Sequence, residues 1–237
     1  MLRRVTTILL WLTLNVAAAG AEAPPEFANG IVPVMANLRT AMSYARTGNI
    51  ALAQIEISDA LVGWKQLQHF NGTAIPPYPP VALDAFLTTG QEQLIAADRA
   101  LDRGDADSAI REVQGLRRAL RELRRHSGLY DLSDCVFELG PAMTTLRDEA
   151  TRFGEQLPHR AEGTVAAASV FGDRLQRCND WASVEISKQS EFRRLIDGAI
   201  ASSGEISRAA LSGDAPLVHR YLIELQSFAQ LLDFRFG

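Results

Sequence analysis

The chain has 237 residues, a formal charge of −4, 47% hydrophobic but only 7% aromatic residues, and two cysteines. So mild an acidity excludes nucleic-acid binding as a leading function, because that affinity rests on neutralising phosphates. The length suffices for one large or two small cores, and nothing beyond the N-terminal region is apolar enough to cross a bilayer.

Residues 1–21 read as a secretory signal peptide: Arg3 and Arg4, an apolar run from Val5 to Ala19, then the small residues Ala19-Gly20-Ala21 where cleavage is expected. The run falls short of the ~20 residues of a spanning helix, which argues against an uncleaved anchor. No cysteine follows it, so a lipoprotein is excluded. Losing Arg3 and Arg4 with the signal moves the formal charge from −4 to −6, and a periplasmic protein is expected.

The first half is expected to span 22–130. Residues 22–31, with Pro24, Pro25 and Gly30, read as an irregular lead. Val34, Leu38, Ala41, Met42 and Ala45 recur at helical spacing and predict a first helix over 32–47. Ala53, Ile57, Ala60, Leu61 and Trp64 predict a second over 50–69. Between them Gly48 can close a helix in the left-handed conformation, and Asn49 can cap the next through its side-chain oxygen. Pro76, Pro77, Pro79 and Pro80 make 71–80 a loop. A third helix is expected over 82–103 and a fourth over 106–126, ended by Ser127-Gly128.

The second half, 131–237, is less regular. A fifth helix is expected over 133–153, with a kink or a late start at Pro141. After a loop containing Pro158, a sixth covers 164–178. One long helix over 182–211, weakened at Ser202-Ser203-Gly204, and a last over 215–234 complete the chain.

The glycine turn of the first hairpin returns at Gly104-Asp105 and Gly213-Asp214. Counted from these glycines, apolar residues coincide: Ala53, Ala109 and Val218; Ile57, Val113 and Leu222; Ala60, Leu116 and Leu225. Helix entries also echo, Leu38 to Ser43 against Leu139 to Thr144. The expected fold is all-α, with tandem helical hairpins forming two four-helix up-down bundles or one eight-helix array. The turn pattern resembles the second-helix half of a tetratricopeptide repeat, but a period of about 55 against 34 argues for a different array.

Cys135 and Cys178 are nearly equidistant from Leu157 in the connecting turn and lie on apolar stripes. In an antiparallel hairpin that symmetry brings them level, so a disulfide is expected in an oxidising compartment. Arg117, Arg118, Arg121, Arg124 and Arg125 form a candidate anion or partner patch on the fourth helix, against the blander reading of a solvated helix back. Up-down packing brings Met35, His69 and His126 to one bundle end beneath the proline loop and Tyr78. Methionine on a first helix and histidine near the end of a fourth resemble the axial ligands of b562-type haem bundles. The likeness covers the first half only, rests on two residues, and implies haem or metal at those three side chains. Glu56 and Glu112 are equivalent positions, read as rim carboxylates bonded to neighbouring arginines.

No catalytic triad, phosphate loop or zinc spacing is present. The leading expectation is therefore a non-enzymatic periplasmic binding or interaction scaffold, with no resident cofactor and with a protein partner. The alternative is a haem- or metal-binding bundle in redox chemistry or trafficking.

Overall fold

The computed structural model describes residues 25–155 and 161–237, so the signal-peptide reading of 1–21 and Leu157 lie outside the described residues. Among those described there are nine α-helices, one 3-10 turn and no strand. None of these helices is long and apolar enough to cross a membrane.

Helices α1 (Pro25–Arg46), α2 (Ile50–Leu67), α3 (Pro80–Asp102) and α4 (Ala106–His126) pack in a ring: α1 on α2, α2 on α3, α3 on α4 and α4 back on α1. Helices α5 (Leu132–Glu155), α6 (Ala161–Trp181), α8 (Ser190–Leu211) and α9 (Ala215–Phe236) close a second ring, with α7 (Val184–Ser187) a single turn between α6 and α8. The buried side chains fall into two clusters, one ending at Leu129 and the other beginning at Leu132.

The three glycine turns are built alike. Gly48, Gly104 and Gly213 have φ of 77°, 72° and 77°. The residue after each donates its N–H to the carbonyl five residues back, from Asn49 to Tyr44, Asp105 to Ala100 and Asp214 to Ala209. This is the bond that satisfies the last carbonyls of a closing helix. The side chains of Asn49, Asp105 and Asp214 then accept from the N–H groups of Leu52, Ser108 and Leu217, capping the next helix. All nine apolar residues in register with these glycines are buried. A Cβ at Gly104 would meet nothing within 4 Å, so its cost is purely conformational. Gly104→Ala should lower stability by about 1 to 2 kcal/mol, the left-handed penalty, seen as a lower melting temperature.

Four local expectations are corrected by packing. Helix α1 begins at Pro25 instead of following an irregular lead, because Phe27 is fully buried against Phe70 and Tyr78, with ring centroids 5.7 and 5.1 Å away. Pro25 sits where a missing N–H costs nothing, and Pro33 lies on the exposed outer face. Helix α5 does not start late: Pro141 lies inside it, at an exposed position.

The long helix expected over 182–211 is broken at Lys188 and Gln189. The preceding turn α7 buries no side chain fully, and only Ile186 packs on the second core, too little to hold it in line with α8. At Ser202 and Ser203, by contrast, α8 is continuous. Ser203 is buried and donates its hydroxyl to the Ala168 carbonyl of α6 at 2.7 Å, a use for serine that local propensity does not reveal.

In the first core, Trp64 is fully buried, and its indole Nε1 donates to the Leu87 carbonyl at 3.1 Å. Gly90 makes room for it: a Cβ there would stand 2.1 Å from the indole Cζ2. In the second, Cys135 near the start of α5 and Cys178 near the end of α6 are buried, with sulfurs 2.17 Å apart and Cα atoms 5.4 Å apart, a disulfide pair.

Candidate functional site

Three of the five candidate arginines of α4, Arg117, Arg121 and Arg124, form a seam along which the two rings meet. On α4, Arg117, Arg121 and Arg124 recur at spacings of four and three, one stripe of a helix. On α5, Asp134 and Glu138 continue from Asp131 at spacings of three and four. The chain reverses between α4 and α5, so the two stripes pair as a ladder. Arg124 bonds Asp131 and Asp134, the latter at 3.0 Å from Nε, and Arg121 bonds Glu138.

Arg117, only 6% exposed, reaches further along the chain. Its Nη1 and Nη2 donate to both carboxylate oxygens of Asp233 on α9, at 3.1 and 2.6 Å, and its guanidinium lies over the Phe137 ring at 5.1 Å. Such a two-pronged match is what guanidinium geometry favours.

The other two arginines of the candidate patch lie apart from this seam. Arg125 pairs with Glu122 of its own helix, and Arg118 is exposed.

Beside the seam runs a cleft of about 380 Å³ between α1, α4, the start of α5 and the end of α9. Ile31, Val32, Met35, Leu120, Phe137, Trp181 and Phe236 supply apolar lining, and Arg39, Arg117, Arg121, Arg124 and Arg235 supply guanidinium groups. A second cleft of about 460 Å³ opens on the far side of Arg117 and Phe137, bordered by Arg46, Arg118, Pro141 and Met143.

The three candidate haem or metal ligands are divided. Met35 is buried and lines the first cleft; His69 and His126 are both exposed and line neither cleft. His69 Nδ1 bonds the Gln66 carbonyl, and its ring stacks on Phe70 with centroids 3.7 Å apart. Among the described residues no group of three His, Cys, Asp or Glu side chains is arranged to hold a metal ion. Glu56 and Glu112 take part in no ion pair among the described residues, which corrects the expected bonds to arginine: Arg117, Arg121 and Arg124 of α4 face α5 and α9 instead.

The electrostatics are most perturbed where the ladder is deepest. Burial pushes the Asp134 carboxyl up to about 6, aided by the Asp131 charge and opposed by the Arg124 guanidinium. The folded state thus keeps its proton to higher pH than the unfolded state does. The Asp134 contribution to stability should therefore fall as pH rises from 3.8 to about 6, the window between the ordinary and the raised value. Urea midpoints measured across that range should show the decline as a narrowing difference between the parent and Asp134→Asn.

The periodicity pointed to Arg117, Arg121 and Arg124 but not to their partners. The Asp131, Asp134 and Glu138 stripe was there to be matched with them. Asp233, 116 residues from Arg117, carried no such signal. Comparisons with protein families, with characterised proteins and with solved structures return no match, so the meaning of the site rests on its own geometry.

Proposed function

We propose that this chain is an exported, non-enzymatic helical binding protein of the periplasm, whose ligand site is the 380 Å³ cleft between the two rings. One observation carries the reading: a concave, largely apolar lining joined to a few guanidinium groups held in place by their own ion pairs. That combination is the usual make-up of a preformed ligand site, and its volume lies at the small-molecule end of the range. Export accords with the disulfide, which forms and persists in oxidising compartments.

A haem- or metal-holding bundle of the b562 kind has less support, since Met35 reaches the cleft without either histidine.

The test is a thermal-shift screen of small molecules on the mature protein and on Val32→Trp. Val32 is 62% exposed at the cleft, so the substitution fills the opening without touching a core. A cleft ligand should raise the melting temperature of the parent by mass action and leave the variant unmoved. A screen in which no compound stabilises the parent, or in which stabilising compounds act equally on Val32→Trp, overturns the assignment.

A further inference from the structure

We propose that the cleft takes a small monoanion carried on an apolar body, with the Arg39 guanidinium as its counter-ion. This rests on the cleft being a ligand site and narrows what the site accepts.

The argument begins with the charges already matched. Arg117 is held by Asp233, Arg121 by Glu138, Arg124 by Asp131 and Asp134, and Arg235 by Glu191. Arg39 differs: among the described residues it takes part in no ion pair, and its only side-chain hydrogen bond runs from Nε to the Phe234 carbonyl at 3.2 Å. That bond fixes the guanidinium at the end of α9 and leaves both Nη groups for another acceptor. Burial first, and the Arg117 guanidinium second, hold the Arg39 pKa below its ordinary value, against the pull of Asp233. A partly buried guanidinium with no ion pair of its own is costly unless an anion meets it.

Arg121 lines the same cleft and is held by Glu138. Its Nε–H meets no acceptor in the protein and has no surface open to the cleft, so it adds no contact for a ligand.

The rest of the lining selects the body of the ligand. Ile31, Val32, Met35, Leu120 and Trp181 offer apolar surface and no further cation without a partner. Asp131 and Asp134 also line the cleft, but both are engaged by Arg124, so Arg39 is the one lining guanidinium without a carboxylate partner of its own, and a single negative head fits it. Carboxylate, sulfonate and phosphate heads share this chemistry, and Arg binds each in the same planar, two-pronged way.

Calorimetric titration with decanoate and with decyltrimethylammonium, both below micelle formation, tests the proposal on the mature protein, Arg39→Gln, Arg39→Lys and Val32→Trp. Decanoate should bind the parent and be blocked by Val32→Trp. Arg39→Gln should weaken it on the order of tenfold, the loss expected for one charge-assisted contact, with partial recovery in Arg39→Lys. The cationic amphiphile should bind at least about tenfold more weakly than decanoate.

Equal binding of the two amphiphiles, or an Arg39→Gln variant as good as the parent, overturns the anion proposal. If the cation binds as well and is blocked by Val32→Trp, the cleft remains the site and only the ligand class is wrong. If neither amphiphile responds to Val32→Trp, the cleft assignment falls as well. Thermal melts establish that each variant is folded, and Arg39→Gln forfeits only the one bond to Phe234.

Discussion

Arg117→Ala should destabilise the protein by about 3 kcal/mol and loosen one half of the chain from the other. The guanidinium is almost wholly buried, donates to both oxygens of Asp233 and covers the Phe137 ring. Removing one member of a buried ion pair typically costs ~3–5 kcal/mol, because the partner's charge stays behind uncompensated. Asp233 retains 22% exposure and can regain some water, which places the expectation at the low end of that range. Asp233→Asn should cost less, since an amide oxygen still accepts from Arg117. Urea unfolding followed by fluorescence would read both. Trp64 lies in the first core and Trp181 at the end of α6. With Arg117 intact the two tryptophans should unfold together; in Arg117→Ala their transitions should separate. A change of less than about 0.5 kcal/mol, the range of ordinary surface substitutions, would show that the seam contributes nothing.

Reducing the disulfide should have a comparable effect, confined to the second half. Cys135 and Cys178 are 43 residues apart, and closing a loop of that size constrains the unfolded chain by ~4 kcal/mol on the loop-entropy estimate. The bridge ties the start of α5 to the end of α6, so the Trp181 transition should shift to lower denaturant on reduction. The Trp64 transition, in a core with no cysteine, should move only as far as the seam transmits the change. Mass spectrometry of the non-reduced protein should show two hydrogens fewer than the free-thiol mass. Two cysteines that alkylate without reductant would contradict the pairing.

What could be read from the sequence followed a physical division. Gly48, Gly104 and Gly213 were legible because helix closure is local: a left-handed residue, then a capping oxygen. The apolar positions in register with them were legible because helical period alone decides which face is buried. The disulfide followed from the symmetry of a hairpin.

The start of α1 was not legible, since Pro24, Pro25 and Gly30 signal irregular chain, and only the burial of Phe27 under Phe70 and Tyr78 overrides them. The end of the helical stretch before α8 was missed for the opposite reason. Val184 to Ser187 form one helical turn that buries no side chain fully and touches the second core only through Ile186.

The site was half legible. Amphipathicity marks a charged face as outward from its own core and cannot say what lies beyond it, so the arginines of α4 suggested solvent or an unknown partner. For Arg117, Arg121 and Arg124 the partner is the other half of the same chain. Arg39 drew no attention because an isolated arginine on a helix is ordinary until its neighbours are known to be paired elsewhere.

The ion pairs of Arg117, Arg121 and Arg124 form an internal seam, which would hold the cleft beside it as a fixed, preformed site. A double-mutant cycle on Arg117 and Asp233, by urea unfolding of the parent, Arg117→Ala, Asp233→Ala and the double variant, measures the strength of that seam. A coupling energy of about 2 kcal/mol is expected, the size found for buried partners in contact. Coupling indistinguishable from zero, with each single variant as stable as the parent, would contradict the seam and with it the cleft.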